Sequence, residues 1–226
     1  MKTILTFTTA LLLCCGAQSV TAQVHDEALA NQIIAARKAN AALLEQYSWS
    51  SRTELLDTGT VKDIRIETVA YGPNGQVQRT LVNDEPAPLP HGFLRKRIAE
   101  KEREKVEKYL TGLRKLLDDY TLPSAGKVID FISGATLSAP DANGLLKISG
   151  SGVVSPGDTL TLWVDAKTHR ASKLQIVTYF DQDEVQVNAS FKTLKNGPTH
   201  MQFAEVTVPA KGLTLQVHNF DYNANN

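Results

Sequence analysis

The sequence predicts an α+β protein, mainly β, in which a curved antiparallel sheet or incomplete barrel of about nine strands is covered by about three helices. Three observations carry this. From residue 157 to 226 apolar and polar residues alternate with a period of two, so each strand has one apolar and one wetter face. The breaks in that alternation are short: 165–170, 181–183, 195–198 and 209–212 are links of hairpin length. Elsewhere the period changes to three and four, most clearly in 106–120, and that is a helix burying one stripe.

The first element expected in the exported chain is a helix over 25–46, with Leu29, Ile33, Ile34, Leu43 and Leu44 spaced among alanines and no Gly or Pro. Three strands follow, over 47–56, 61–71 and 76–82, the last two joined by Gly72-Pro-Asn-Gly75, whose Asn-Gly suits the positive φ of a tight turn. Trp49 shares a face with Tyr47 and Leu55, and Ile64 shares one with Ile66. Residues 84–92 hold three prolines and read as an extended loop. The longest helix, 93–120, has a charged first half that reads as a solvated face with i to i+4 ion pairs. A short helix over 124–132 ends near Gly134. Strand 145–154 and the turn Ser155-Pro-Gly-Asp158 then lead into the final meander.

The N terminus has the pattern of a secretory signal peptide. Lys2 precedes an apolar run over 4–15, and Val20-Thr21-Ala22 is a small-residue cleavage site, giving a leader of 1–22 and a single domain of 23–226. Lipid anchoring at Cys15 is the weaker alternative, because Cys14 stands where a small residue is expected. Both cysteines fall inside the leader, so the exported chain has no disulfide, thiolate nucleophile or cysteine metal site. It carries 23 Lys and Arg against 24 Asp and Glu. A total so near zero offers no electrostatic case for nucleic acid or an anionic membrane surface.

The element order on an exported chain of this length resembles the lipoprotein-carrier (LolA-like) superfamily of the bacterial envelope. The most specific local match is Thr161-Leu-Trp-Val-Asp-Ala-Lys-Thr-His-Arg-Ala-Ser-Lys-Leu174, which is similar to that family's recurrent hairpin, and Val217-His-Asn-Phe-Asp-Tyr222 is similar to its terminal strand. The resemblance implies an incomplete barrel closed off by helices, a periplasmic location and no catalytic activity.

No residue pattern argues for an enzyme. The five histidines lack paired ligand spacing, Ile148-Ser-Gly-Ser-Gly152 sits in a strand pattern rather than before a helix, and Asp118 and Asp119 are adjacent and exposed. No cofactor, catalytic residue or metal ligand is expected. The expected ligand-lining residues are Trp49, Ile64, Ile66, Leu110, Leu113, Leu117, Leu160, Leu162, Leu174, Ile176, Val185 and Val187. A loosely covered apolar sheet takes up a lipid, acyl chain or lipoprotein. A tightly covered one is an ordinary core, and the protein is then a structural or regulatory module that docks an envelope protein partner.

Overall fold

A computed structural model of the protein describes residues 18–86, 88, 93–121 and 123–225. Three helices, α1 (Gln18–Leu44), α2 (Phe93–Thr121) and α3 (Ala125–Gly134), accompany ten strands. These are β1 (Tyr47–Asp57), β2 (Thr60–Tyr71), β3 (Val77–Pro86), β4 (Thr136–Leu137), β5 (Leu145–Ser151), β6 (Thr159–Asp165), β7 (Ala171–Phe180), β8 (Asp183–Thr193), β9 (Thr199–Val208) and β10 (Leu213–Ala224). The tenth strand beyond expectation is β4, whose two residues are too few to show alternation. The region expected to be loop from Asp84 onward begins as strand, since β3 runs to Pro86 at the sheet edge, where a missing N–H costs no ladder bond. Most of the expected leader lies outside the described residues, and α1 starts at Gln18, upstream of the expected cut.

All ten strands form one sheet in the order β3-β2-β1-β10-β9-β8-β7-β6-β5-β4, open between β3 and β4. Every pairing is antiparallel. The one neighbour pair distant in sequence is β1–β10, which seats the first hairpin beside the last strand. Turn chemistry pins the register. Thr58 (φ 48°) and Gly59 (φ 79°) close the β1–β2 link, and Asp181 (φ 49°) and Gln182 (φ 71°) close β7–β8, both in the doubly left-handed conformation of a two-residue hairpin loop. At Asp165 one carboxylate oxygen accepts from the backbone N–H groups of Lys167 (3.0 Å) and Thr168 (2.7 Å), folding the β6–β7 link.

With these registers one face of the sheet becomes continuous. Leu160, Ile176, Val187, Val206, Leu215 and Leu55 lie opposite one another in a row from β6 to β1. Leu162, Leu174, Ala189, Ala204 and Val217 form the neighbouring row. The buried half of α2 packs on these rows, and α1 and α3 pack together over Ile148 and Val164 at the β5–β6 end. The opposite face is polar, with Thr161, Gln175, Asn188, Glu205, Gln216 and Glu54 in register. Trp163 belongs to this outer face, flanked by Lys147 and Lys173, whose ammonium groups lie 5.8 and 4.9 Å from the ring centroid.

Candidate functional site

The apolar face of the sheet is the one covered by α2, so the side chains packed there are the candidates for contact with an apolar ligand. Val106, Tyr109, Leu110, Leu113, Leu116, Leu117 and Tyr120 fall at spacings of three and four and supply the helix side. Leu160, Leu174, Ile176, Val185 and Val187 supply the sheet side, with Leu162 packed at the margin. Leu113 and Ile176 are each 2 % exposed, so in this conformation the two layers fill one another. Close approach is built in at Gly112: a Cβ there would lie 2.6 Å from Cζ of Phe180, so a side chain would force the Phe180 ring or the helix to shift.

Nine of the twelve expected lining residues therefore share this helix–sheet layer. Ile64 and Ile66 do not, and their expected place on the covered face is corrected. Ile64 is opposite Glu54 and Ile66 is opposite Arg52, which places both on the outer face, one residue out of phase with Leu55. Strand β2 carries Asp63, Arg65 and Glu67 on its inner face, so its apolar alternation points away from the helices. Trp49 is buried, but apart from the α2 cluster. It stacks on Tyr222 (centroids 5.4 Å, 12° between planes) and meets Tyr71 at 6.0 Å, while Tyr222 contacts the buried His200. Burial holds the His200 imidazole below its ordinary pKa and Tyr222 above its own.

Two tethers at the ends of the buried half of α2 were not anticipated. At its C-terminal end Tyr120 donates to Oδ2 of Asp158 at 2.6 Å and lies 2.9 Å from Oγ1 of Thr178, whose hydroxyl it accepts from. Asp158, fully buried in the β5–β6 turn, also accepts from the N–H groups of Val153 (2.7 Å), Val154 (2.8 Å) and Ser155 (2.8 Å). Burial by itself raises the Asp158 pKa, but these donors more than offset it and hold the carboxyl below its ordinary value. Burial and the bond to Asp158 push Tyr120 up to about 12. The Arg37 guanidinium of α1 reinforces this end by donating to the carbonyls of Thr121 (3.1 Å) and Pro123 (3.0 Å).

The other end is held more weakly. Tyr109 donates to Oδ2 of Asp183 over 3.3 Å, and Lys211 bridges to the same carboxylate at 3.2 Å and lies over the Tyr109 ring. Burial, then the Asp183 charge, push Tyr109 up to about 12. The signal for the first tether was present in the sequence as Asp158 closing Ser155-Pro-Gly-Asp158 and Tyr120 ending the apolar stripe, but only folding brings them together across 38 positions.

Among the described residues no group of three or more His, Cys, Asp or Glu is placed to hold a metal ion, and no helix is long and apolar enough to cross a membrane. The fold and this face define an open antiparallel half-barrel whose apolar side is closed by a helical lid. No family model matches the sequence, and no curated protein matches it. Solved structures similar to it include a LolA superfamily protein from Nitrosomonas europaea (8 % identity, 84 % of this chain and 93 % of that one, TM-score 0.34). A putative outer membrane lipoprotein-sorting protein domain from Vibrio parahaemolyticus (8 % identity, 86 % and 93 %, TM-score 0.37) is another. A third is a DUF1329 family protein from Desulfovibrio piger (9 % identity, 87 % and 92 %, TM-score 0.39).

Proposed function

We infer that this protein is a non-enzymatic carrier of the cell envelope that takes up an acyl chain, as free lipid or as part of a lipoprotein, between α2 and the inner face of the sheet. The observation that carries the reading is the unequal fastening of α2 over a continuous apolar surface. Its C-terminal end is locked by a buried, charge-assisted network and an arginine cap, while its other end rests on a longer, partly solvated contact. A helix held this way swings about Tyr120, lifting Tyr109, Leu110 and Leu113 from Phe180, Val185 and Val187 and exposing a slot of the width of an alkyl chain. The chain then replaces helix contacts with its own, so little apolar area is left wet on either side of the exchange.

Displacement of a fluorescent fatty acid, followed by lipid extraction and mass spectrometry of protein purified without detergent, tests this. Saturable binding with a co-purifying acyl species supports it. The filled interior favours a second reading, a structural or regulatory module with the same scaffold and a closed core. Absence of binding up to high micromolar fatty acid, together with a protein partner recovered from envelope extracts, selects that one.

A further inference from the structure

The chain's charge balance is neutral in total but strongly segregated in space. Between Arg95 and Lys115, α2 carries nine basic and four acidic residues, a net of +5, whereas the rest of the chain carries fifteen basic and twenty acidic. All nine basic side chains are exposed. From residue 95 to 105 every side chain except that of Ala99 is exposed, so the first half of the helix stands clear of the sheet as an arm.

The basic residues are also ordered on that arm. Arg97, Lys101, Lys108 and Lys115 follow at intervals of four, seven and seven, which keeps them in one stripe. Arg97 and Val106 are nine residues apart, half a turn out of phase, so the stripe faces away from the core-facing leucines. Lys105 and Ile98 fall about a quarter turn round from it, and Ile98 is 63 % exposed. Glu100 and Glu107 lie along one flank, and Glu104 falls within the stripe between Lys101 and Lys108. Lys96 pairs with Glu100 and Lys105 with Glu102 within the helix, but among the described residues no ion pair involves Arg97, Lys101, Lys108 or Lys115.

We propose that this arm docks the protein on an anionic phospholipid surface, the basic stripe against the headgroups and Ile98 in the acyl boundary. A solvated helix needs no such excess, because balanced signs serve solubility equally well, whereas residues 95–115 carry five more positive than negative side chains. An exposed isoleucine on a helix segment with that excess of cations is what a membrane interface selects. The opposite charge on the remainder of the molecule turns the arm toward the bilayer and keeps the sheet from lying flat on it. The proposal is independent of whether the α2 slot holds a ligand.

The test is co-sedimentation of the purified exported protein with phosphatidylcholine vesicles, with and without one third phosphatidylglycerol. Binding is expected to the mixed vesicles only and to be lost between about 50 and 500 mM salt, as the screening length falls well below 10 Å. The quadruple variant Arg97→Glu, Lys101→Glu, Lys108→Glu, Lys115→Glu should lose affinity at least about tenfold, with unchanged melting temperature showing that it folds. Ile98→Ser should weaken binding to the mixed vesicles and leave its salt dependence unchanged. Equal binding to both vesicle types, no binding at low salt, or full binding by the folded quadruple variant would overturn the proposal. Salt-labile retention by an acidic protein without vesicle binding would overturn it in favour of a protein partner.

Discussion

Replacing Tyr120 with Phe removes one oxygen and tests the pivot directly. Asp158 would keep its three backbone donors but lose the shortest of its four bonds, and the fully buried Thr178 hydroxyl would lose the acceptor opposite it. A hydrogen bond to a charged group contributes about 1.5–3 kcal/mol and a neutral one about 1, so a loss of about 2–3 kcal/mol is expected. For a domain of this size that corresponds to a melting temperature lower by about 5–10 °C. Tyr109→Phe removes only a 3.3 Å bond at a partly solvated carboxylate that Lys211 continues to neutralise, and should cost less than about 1 kcal/mol. Urea unfolding of both variants gives the two numbers. The acyl-chain assay then separates anchor from latch. Weakening the Tyr109 contact lowers the cost of lifting the helix and should raise apparent affinity, whereas weakening the Tyr120 contact should lower stability without a matching gain. Equal destabilisation by the two variants, or a Tyr120→Phe loss below about 0.5 kcal/mol, would refute the idea of one fixed and one mobile end.

Stability should follow pH through the same pair. Asp158 has a depressed pKa, so its contribution is complete above the ordinary carboxylate pKa of 3.8 and is lost as pH falls through its lower folded value. Tyr120 has a raised pKa, so its contribution is complete below 10 and is lost as pH rises through about 12. The stability gap between the parent and Tyr120→Phe should therefore be constant from about pH 4 to 10 and shrink on either side, which chemical denaturation at several pH values would check. Gly112→Ala should destabilise despite alanine's helix propensity, by about 1 kcal/mol net, because overpacking against Phe180 costs about 1–3. Recovery in the double variant with Phe180→Leu confirms the contact, and a more stable single variant disproves it. Ile176→Asp places a carboxylate without a partner between Leu160 and Val187 and should abolish cooperative unfolding. Ile64→Thr, on the outer face, should cost about 1 kcal/mol or less and leave acyl-chain affinity unchanged; a large loss of binding would put β2 the other way round.

Strand alternation, turn residues and the leucine stripe of α2 are local properties, so the meander, its hairpins and the α+β class were legible in the order of residues. Two-residue periodicity says which side chains share a face, and for β6, β7 and β8 it placed Leu160, Ile176 and Val187 together correctly. It does not say which face is covered. Ile64 and Ile66 alternate as cleanly as Leu160 and Leu162, yet the pairing of β1 with β10 sets Leu55 rather than Glu54 beside Leu215 and so turns both isoleucines outward. That choice belongs to the long-range register between the first hairpin and the last strand, which no window along the chain contains. The Tyr120–Asp158–Thr178 network is of the same kind: a turn aspartate and a helix tyrosine are unremarkable separately, and acquire a role only when the sheet carries the turn beneath the helix. Composition likewise records a balanced total of charge, and the positive excess of residues 95–115 is a count along the chain, but only the fold leaves the first half of that helix exposed and clear of the sheet, because burial depends on what packs against a segment and not on its own residues.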